Sequence, residues 1–288
     1  MHRKPNMGKL VLTSRHRLVC GDCRDFATVE KLLDGHKINV AVTSPPYASQ
    51  RTYDESSGFK PIPPVEYVSW YRDVASNIME NLADNGSYFC NIKEHCEDGQ
   101  RSLYVKDLTL AHVREWGWRF VDEFCWRNTK NGVPGTWPNR FKNAWEPVFH
   151  YSKNTQIKFD PIACGTKSDS AFSYSSETAE TKTGSGLLGE KGTQEHSGIA
   201  RPSNVIEVAA ASTGDHSAAY PVALPEFFIK AFSDPGDVIY DPFMGSGTTL
   251  IAAEKNGRRG FGCEISPAYC DVIIKRFEQH TGSLAILG

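Results

Sequence analysis

The sequence predicts an α/β fold built on a mainly parallel sheet with helices on both faces, and three observations carry that prediction. Short apolar runs such as Ile38–Val42 and Val238–Tyr240 are bounded by turn residues, as buried strands are. Other segments space their apolar residues by three and four, the period of a helix that buries one face. The two kinds alternate along the chain, and strands alternating with helices pair in parallel through crossovers. A length of 288 residues suits one large domain of this kind or two small ones.

The elements follow in order. Leu10–Leu12 and Arg17–Cys20 read as short strands, Ala27–Leu33 as a short helix, and Ile38–Val42 as a buried strand. The polar, Pro-bearing stretch from Gln50 to Pro64 reads as a loop. From Val65 to Leu82, Val68, Tyr71, Val74, Ala75, Ile78, Met79 and Leu82 make an amphipathic stripe. Asn85-Gly86 predicts a turn into a strand at Ser87–Ile92. A helix at Val105–Glu115 and strands at Arg119–Trp126 and Glu146–Tyr151 come next. From Gly165 to Ser203, Ser, Thr, Gly, Glu and Lys dominate, which marks an insert. Core pattern resumes with a helix from Pro221 to Phe232, strand Val238–Tyr240, helix Thr248–Asn256, strand Gly260–Ile265 and helix Pro267–Gln279. The expected organisation is therefore residues 1–164, an insert at 165–203, and residues 204–288 completing the same domain.

Composition excludes several classes. Apolar residues are 40% and charged residues 23%, ordinary for a globular protein. No apolar run approaches the ~18 residues that span a bilayer, and the N-terminal stretch has no signal-peptide core, so a cytoplasmic protein with no membrane contact is expected. Cys20 and Cys23 form a CxxC without a second pair at zinc spacing, and Cys90, His95 and Cys96 have no evident fourth ligand. Reduced thiols and no metal site are expected. Net charge is −2, yet Arg127, Lys130, Arg140, Lys142, Lys153 and Lys158 share one segment with a single acid, Glu146. Trp126, Trp137, Phe141, Trp145, Phe149 and Tyr151 interleave with them. Such a segment is either a solvated face or a nucleic-acid groove, where charge holds phosphates and rings stack on bases.

Two motifs carry chemistry. In "VTSPPY", Pro45 and Pro46 end the strand abruptly, because neither offers an N–H to the ladder and both fix φ. Ser44 and Tyr47 are thereby held at a stiff strand end. The second motif is "DVIYDPFMGSGTTLIAAEKNGRRGFGCEIS": a strand ending in Asp241, a loop with Gly245 and Gly247, a helix opening at Thr248, and a second strand ending in Glu264. Glycines let backbone approach a ligand near a helix N-terminus, and a strand-end acid can accept from both ribose hydroxyls. The dinucleotide pattern GxGxxG is not met, since Leu250 stands where its third glycine would be.

With both motifs in view, "DPFMGSGTT…AAEKNGRRGFGCEIS" closely resembles the S-adenosylmethionine motif of amino-methylating DNA methyltransferases, and "TSPPY" resembles their catalytic motif. The catalytic motif comes first, the circularly permuted order of the β class. The resemblance runs from "LVCGDCRDF" to "VIIKRFEQH" and implies a seven-stranded, Rossmann-like methyltransferase sheet. It implies that Ser44, Pro45, Pro46 and Tyr47 are catalytic. It implies that Asp22, Cys23, Asp241, Phe243, Gly245, Gly247, Thr248 and Glu264, with His216, serve S-adenosylmethionine. Arg127 and Lys130 fall in a region resembling one that lies near the target base; Arg140 and Lys142 join them as expected DNA contacts.

The implied reaction moves a methyl group to the exocyclic amine of a base flipped from double-stranded DNA. By the same resemblance, Ser at position 44 favours cytosine N4, since Ser at this place of the motif occurs mostly in cytosine-N4 enzymes and Asp mostly in adenine enzymes; adenine N6 is the alternative. Methylation of RNA or a protein glutamine, or a silent DNA-binding module, are further alternatives. The permuted order opposes the glutamine reading, and the intact motifs oppose a silent module. A homodimer and a cognate restriction endonuclease are open expectations.

Overall fold

The computed structural model describes residues 10–12, 15–48, 59–129, 139, 141, 143–167, 198–209 and 220–287. In chain order the elements are β1 (Leu10–Leu12), β2 (Arg17–Cys20), α1 (Phe26–Leu33), β3 (Ile38–Thr43), α2 (Tyr67–Asn81), β4 (Leu82–Asn91), β5 (Cys96–Glu97), β6 (Gln100–Arg101) and α3 (Tyr104–Arg114). There follow β7 (Arg119–Arg127), β8 (Trp145–Ser152), β9 (Thr166–Lys167), β10 (Ile199–Ala200), β11 (Val205–Glu207), α4 (Ala223–Phe232), β12 (Val238–Asp241), α5 (Thr248–Lys255), β13 (Arg259–Glu264), α6 (Pro267–Thr281) and β14 (Ile286–Leu287).

Local sequence explains the helix ends. Asp25 caps α1 by accepting from the Thr28 amide, and Asp34 closes it in the left-handed region. Ser266 caps α6 ahead of Pro267, and Gly282 ends it at φ 70°. The expected turn at Asn85-Gly86 is instead part of β4, which runs unbroken from Leu82. Gly86 is needed for close approach: a Cβ there would stand 2.9 Å from the Asn39 carbonyl oxygen and from Leu82. The β3–β4 register shifts at that point.

The main sheet has the order β11-β7-β8-β4-β3-β12-β13-β2-β1-β14. Its centre, β4-β3-β12-β13-β2, is parallel throughout, whereas β8 runs antiparallel to both neighbours. Seven strands were expected, and among the described residues this sheet has ten. The additions β1, β11 and β14 are pieces of two or three residues that pair onto the two edges and shorten the exposed rows of backbone donors there. Beyond this sheet, β9 pairs with β10 across the two ends of the insert.

Side chains alternate across the sheet and build a core layer on each face. In β12, Val238 and Tyr240 enter one layer and Ile239 the other. The first layer packs α1, α2 and α3 through Leu32, Val74 and Leu108. The opposite face carries α4 and α5 through Phe228 and Ala252, and α6 through Ile273 and Phe277. The chain leaves β3 toward α2 and leaves β12 toward α5, so two paired strands send their connections to opposite faces. A crevice opens at such a point beyond the carboxyl ends of the strands. Among the described residues no helix is long and apolar enough to cross a membrane.

Candidate active site

Among the described residues, expected site residues gather on one rim of the sheet. Ser44, Lys93, Arg127, Phe243, Glu264 and Asp22 follow or close the carboxyl ends of β3, β4, β7, β12, β13 and β2. Because β8 is antiparallel, its amino end brings Trp145 and Glu146 to the same rim.

The loop after β12 is shaped by its backbone. Gly245 has φ 54° and Gly247 φ 82°, values that glycine adopts without steric cost. Gly247 N donates to the Met244 carbonyl at 2.8 Å, and Met244 N to the Cys263 carbonyl at 2.9 Å. Among the described residues, a Cβ on Gly245 would have only the Phe243 carbonyl oxygen within 4 Å, at 3.8 Å, so open space lies beside this glycine. Arg276 secures the loop from below, donating to the Ser246 carbonyl at 3.0 Å and to Thr248 Oγ1 at 3.1 Å.

Glu264 ties that loop to the next strand. Its Oε2 accepts from Gly245 N at 2.8 Å and its Oε1 from Ser266 N at 2.9 Å. Burial pushes the carboxyl up to about 7, against the lowering effect of those amides. Each oxygen keeps a second lone pair, so two further donors can be accepted. The Phe243 ring lies 5.8 Å from Trp70 at 30°, and the Arg24 guanidinium is 5.7 Å from the Trp70 ring. Arg24 in turn grips Asp22 through Nη2–Oδ2 at 2.6 Å and Nε–Oδ1 at 3.1 Å. Asp22, Arg24, Trp70 and Phe243 thus form one wall. Open space at Gly245, a strand-end acid with lone pairs to spare and an aromatic wall fit a nucleoside-bearing cofactor.

The corner after β3 is gripped by side chains from elsewhere. Tyr67 Oη donates to the Pro46 carbonyl at 2.6 Å and so fixes the second proline of the corner. Thr43 Oγ1 donates to Asp241 Oδ1 at 2.6 Å. Ser44 Oγ donates to Tyr47 Oη at 3.4 Å, and Tyr47 Oη donates to Glu146 Oε2 at 2.8 Å. Lys93 pairs with the other oxygen of Glu146.

Some expected ligand residues turn away from the rim. Asp241 is 1% exposed and its carboxylate accepts four protein bonds: from Thr43 Oγ1, Phe243 N at 3.0 Å, Thr249 Oγ1 at 2.6 Å and Tyr220 Oη at 3.2 Å. It joins the corner to the loop and has no free face for a ligand. Burial raises its pKa, and the hydroxyl and amide donors oppose that rise. The Thr248 hydroxyl points to Arg276, and the Cys23 thiol lies in the core, 4% exposed, while its carbonyl accepts from Asn77. His216, Lys130, Arg140 and Lys142 lie outside the described residues.

A family profile for DNA methylases matches residues 38–276. The chain belongs to the N6/N4 DNA methylase family. Type II methyltransferase M.PvuII of Proteus hauseri is 27% identical over 300 residues, covering 94% of this chain and 87% of that protein. M.Cfr9I of Citrobacter freundii is 25% identical, covering 88% and 86%. Among solved structures, the PvuII DNA methyltransferase, described as cytosine-N4-specific, aligns with TM-score 0.69 at 24% identity, over 96% of this chain and 94% of that one. A protein of Thermus thermophilus described as a "Putative DNA Modification Methylase", complexed with S-adenosyl-L-methionine, aligns with TM-score 0.59 at 22% identity, over 94% and 96%. These likenesses show the shared α/β methyltransferase fold.

In this methylase the basic, aromatic segment divides. Arg127 is exposed on the active rim and pairs with Glu207. Lys153 and Lys158 lie past the far end of β8, a strand of eight residues and so roughly 26 Å long, where they pair with Asp84 and Asp234. Trp126, Phe149 and Tyr151 are core residues, while Trp145 and Phe141 are exposed. One continuous groove wall along the whole segment is therefore ruled out, because a strand that crosses the sheet delivers its two ends to opposite rims.

Sequence reasoning missed Trp70, Lys93, Tyr220, Thr249 and Arg276, and counted Glu146 only as a charge. One signal for Glu146 was present: a lone acid among six bases.

Proposed function

We propose that the protein is an S-adenosylmethionine-dependent DNA methyltransferase acting on the exocyclic amine of a flipped base, cytosine N4. The observation that carries the reading is Asp241, which accepts from Thr43, the residue before Ser44, and from Phe243 N in the glycine loop, and so fastens the two together. A polar acceptor and a cofactor cradle held together in this way suit direct group transfer, in which misplacement of about 1 Å can cost ~100-fold.

The bound cofactor supplies an electrophilic methyl group on sulfur. Phe243, Gly245 and Gly247 line its methionine end, Glu264 accepts from its ribose hydroxyls, and the Asp22–Trp70 wall faces its base. Ser44 Oγ and the Pro45 carbonyl accept the two protons of the target amine, which favours a tetrahedral nitrogen with its lone pair free. Tyr47 packs against the flipped ring. Arg127 and the basic residues 130, 140 and 142 hold DNA phosphates, and the insert at 165–203, whose ends meet in β9–β10, takes part in choosing the target sequence. Cytosine is preferred because position 44 is Ser and because the similar M.PvuII structure is described as cytosine-N4-specific.

Nucleoside mass spectrometry of DNA treated with the protein and S-adenosylmethionine tests the reading. N4-methylcytosine is expected. N6-methyladenine alone would overturn the base and keep the class, and no methyl transfer to DNA would overturn the class.

A further inference from the structure

The Ser-Pro-Pro-Tyr corner contains no base, yet an amine that gains a methyl group must lose a proton. The hydrogen bonds around Ser44 show where that proton can go. Ser44 Oγ donates to Tyr47 Oη at 3.4 Å, and Tyr47 Oη donates to Glu146 Oε2 at 2.8 Å. Asn91 Oδ1 also faces Tyr47 Oη but at 3.5 Å, and the Asn91 amide group is fixed by donating to the Pro147 carbonyl at 3.0 Å. With one proton to give, the tyrosine gives it to the nearer, charged acceptor. Three elements converge in this chain: Tyr47 follows β3, Lys93 follows β4, and Glu146 lies in β8.

We propose that Glu146 completes the catalytic corner: acting through Tyr47, it draws the Ser44 hydroxyl proton away from the target amine and receives the proton that the amine loses. The inference rests on the methyltransferase reading above. Ser44 Oγ, its own proton committed to Tyr47, presents only lone pairs to the amine. The amine lone pair forms a bond to the methyl carbon of the sulfonium donor as the carbon–sulfur bond breaks, leaving its electron pair on sulfur. The nitrogen then holds one proton too many. That proton passes to Ser44 Oγ, the Ser44 proton to Tyr47 Oη, and the Tyr47 proton to Glu146 Oε2. Ser44 and Tyr47 end as they began, Glu146 ends as a neutral acid, and the base carries a methylamino group.

Tyr47 is suited to pass a proton without ionising, because burial first, and then the neighbouring Glu146 charge, raise its pKa well above the ordinary value. Lys93 balances the Glu146 charge in the resting site. The Glu146 side chain is 21% exposed, which gives the received proton a way out to water. In this scheme Glu146 is a positioning residue and proton terminus that need not touch the base.

The test is Glu146→Gln, which keeps an acceptor oxygen for Tyr47 but removes the charge that receives a proton. Methyl transfer is followed in a single turnover at saturating cofactor and DNA, beside calorimetric cofactor affinity, DNA affinity and thermal unfolding. A loss of about 100-fold in rate is expected, the usual scale for a lost proton acceptor. Both affinities should stay within about twofold, a change in rate and not in binding. Tyr47→Phe combined with Glu146→Gln should be no slower than the slower single variant, since members of one relay are non-additive. Lys93→Met with Glu146→Gln should remain slow. Full rate in Glu146→Gln, additive losses, or recovery on removing Lys93 would each overturn the proposal, the last by showing that only the ion pair matters. An active wild-type protein beside a fully active Glu146→Gln sinks this inference alone; an inactive wild-type protein sinks the methyltransferase reading.

Discussion

The Ser44–Tyr47 corner leaves β3 and the Phe243–Gly247 loop leaves β12, and these two strands pair directly. The corner is shaped by prolines and then held from outside, by Tyr67 on α2, Asp241 on β12 and Glu146 on β8. The loop takes its shape from its own backbone, from glycines in the left-handed region and the Gly247–Met244 turn, and its main chain is then tied to Cys263, Glu264 and Arg276. The difference suits the task proposed for each. A loop that lets a ligand approach its backbone must carry little side chain, so its shape has to come from the backbone. A corner that offers one hydroxyl and one carbonyl has to fix their direction, and that takes partners in three dimensions. Asp241 belongs to both systems.

Breaking that shared residue should have the largest effect. Asp241→Ala leaves the Thr43 hydroxyl and the Phe243 amide without this acceptor in a buried site, and leaves Tyr220 and Thr249, which also bond each other, with one hydroxyl proton between them unplaced. Orphaned buried donors cost ~1–3 kcal/mol each. Partial rearrangement leaves an expected net loss of about 3 kcal/mol, or roughly 5 °C in thermal unfolding for a chain of this length. Cofactor binding and methyl transfer should both fail. If Asp241→Ala unfolds at the wild-type temperature, corner and loop are independent.

Ser44→Ala breaks the corner alone. Turnover should fall by ~100-fold, the usual loss when one transition-state acceptor is removed. Calorimetric cofactor affinity should not change, because Ser44 makes no bond to the loop. A parallel loss of affinity would show that the corner also shapes the cradle.

Gly245 and Gly247 separate within the loop. A Cβ on Gly247 would meet Ile273 at 3.1 Å, so Gly247→Leu is expected to damage the fold as well as the site. At Gly245 the space is open, and Gly245→Ala carries a left-handed penalty of only ~1–2 kcal/mol. Its Cβ would enter the cradle, and cofactor affinity should weaken by roughly 30-fold, about 2 kcal/mol, while the rate of the bound complex changes little. Normal binding by this variant would place the cofactor elsewhere.

The same contrast explains what was legible in the sequence. The loop is a contiguous motif whose geometry lies in its own glycines, so its strand–loop–helix–acid layout can be read along the chain. The corner's stiffness is equally visible in Pro45 and Pro46. Its partners are not: Tyr67 comes from the next helix, and Glu146 and Asp241 lie far along the chain, where only the strand order brings them to the corner. Asp241 shows the cost of reading a motif residue by residue. It belongs to the cofactor motif, yet strand alternation turns its side chain inward to Thr43 and Thr249. The basic segment misled for a related reason, since charge counted along the chain ignores that β8 carries its two ends to opposite rims.

The smallest expected effect, and the one that tests the loop most directly, is a pH dependence set by Glu264. Burial pushes this carboxyl up to about 7 from an ordinary value of 4.5. An acid whose folded pKa exceeds its unfolded one holds its proton more tightly when folded. The stability it contributes is therefore complete below about 4.5 and is lost as pH rises through about 7. Cofactor binding should run the opposite way. Ribose hydroxyls that donate to Glu264 favour the ionised carboxylate, so binding releases a proton below about pH 7 and tightens as pH rises. Between about pH 6 and 8 that linkage amounts to about tenfold in affinity. Glu264→Gln should flatten both slopes: it cannot ionise, and its amide nitrogen, which only donates, replaces one of the two oxygens that accept from the Gly245 and Ser266 amides. Calorimetry in two buffers of different ionisation heat counts the proton released. If no proton is released at about pH 6 by the wild-type protein, the ribose does not reach Glu264, and this acid only fastens the loop to Ser266.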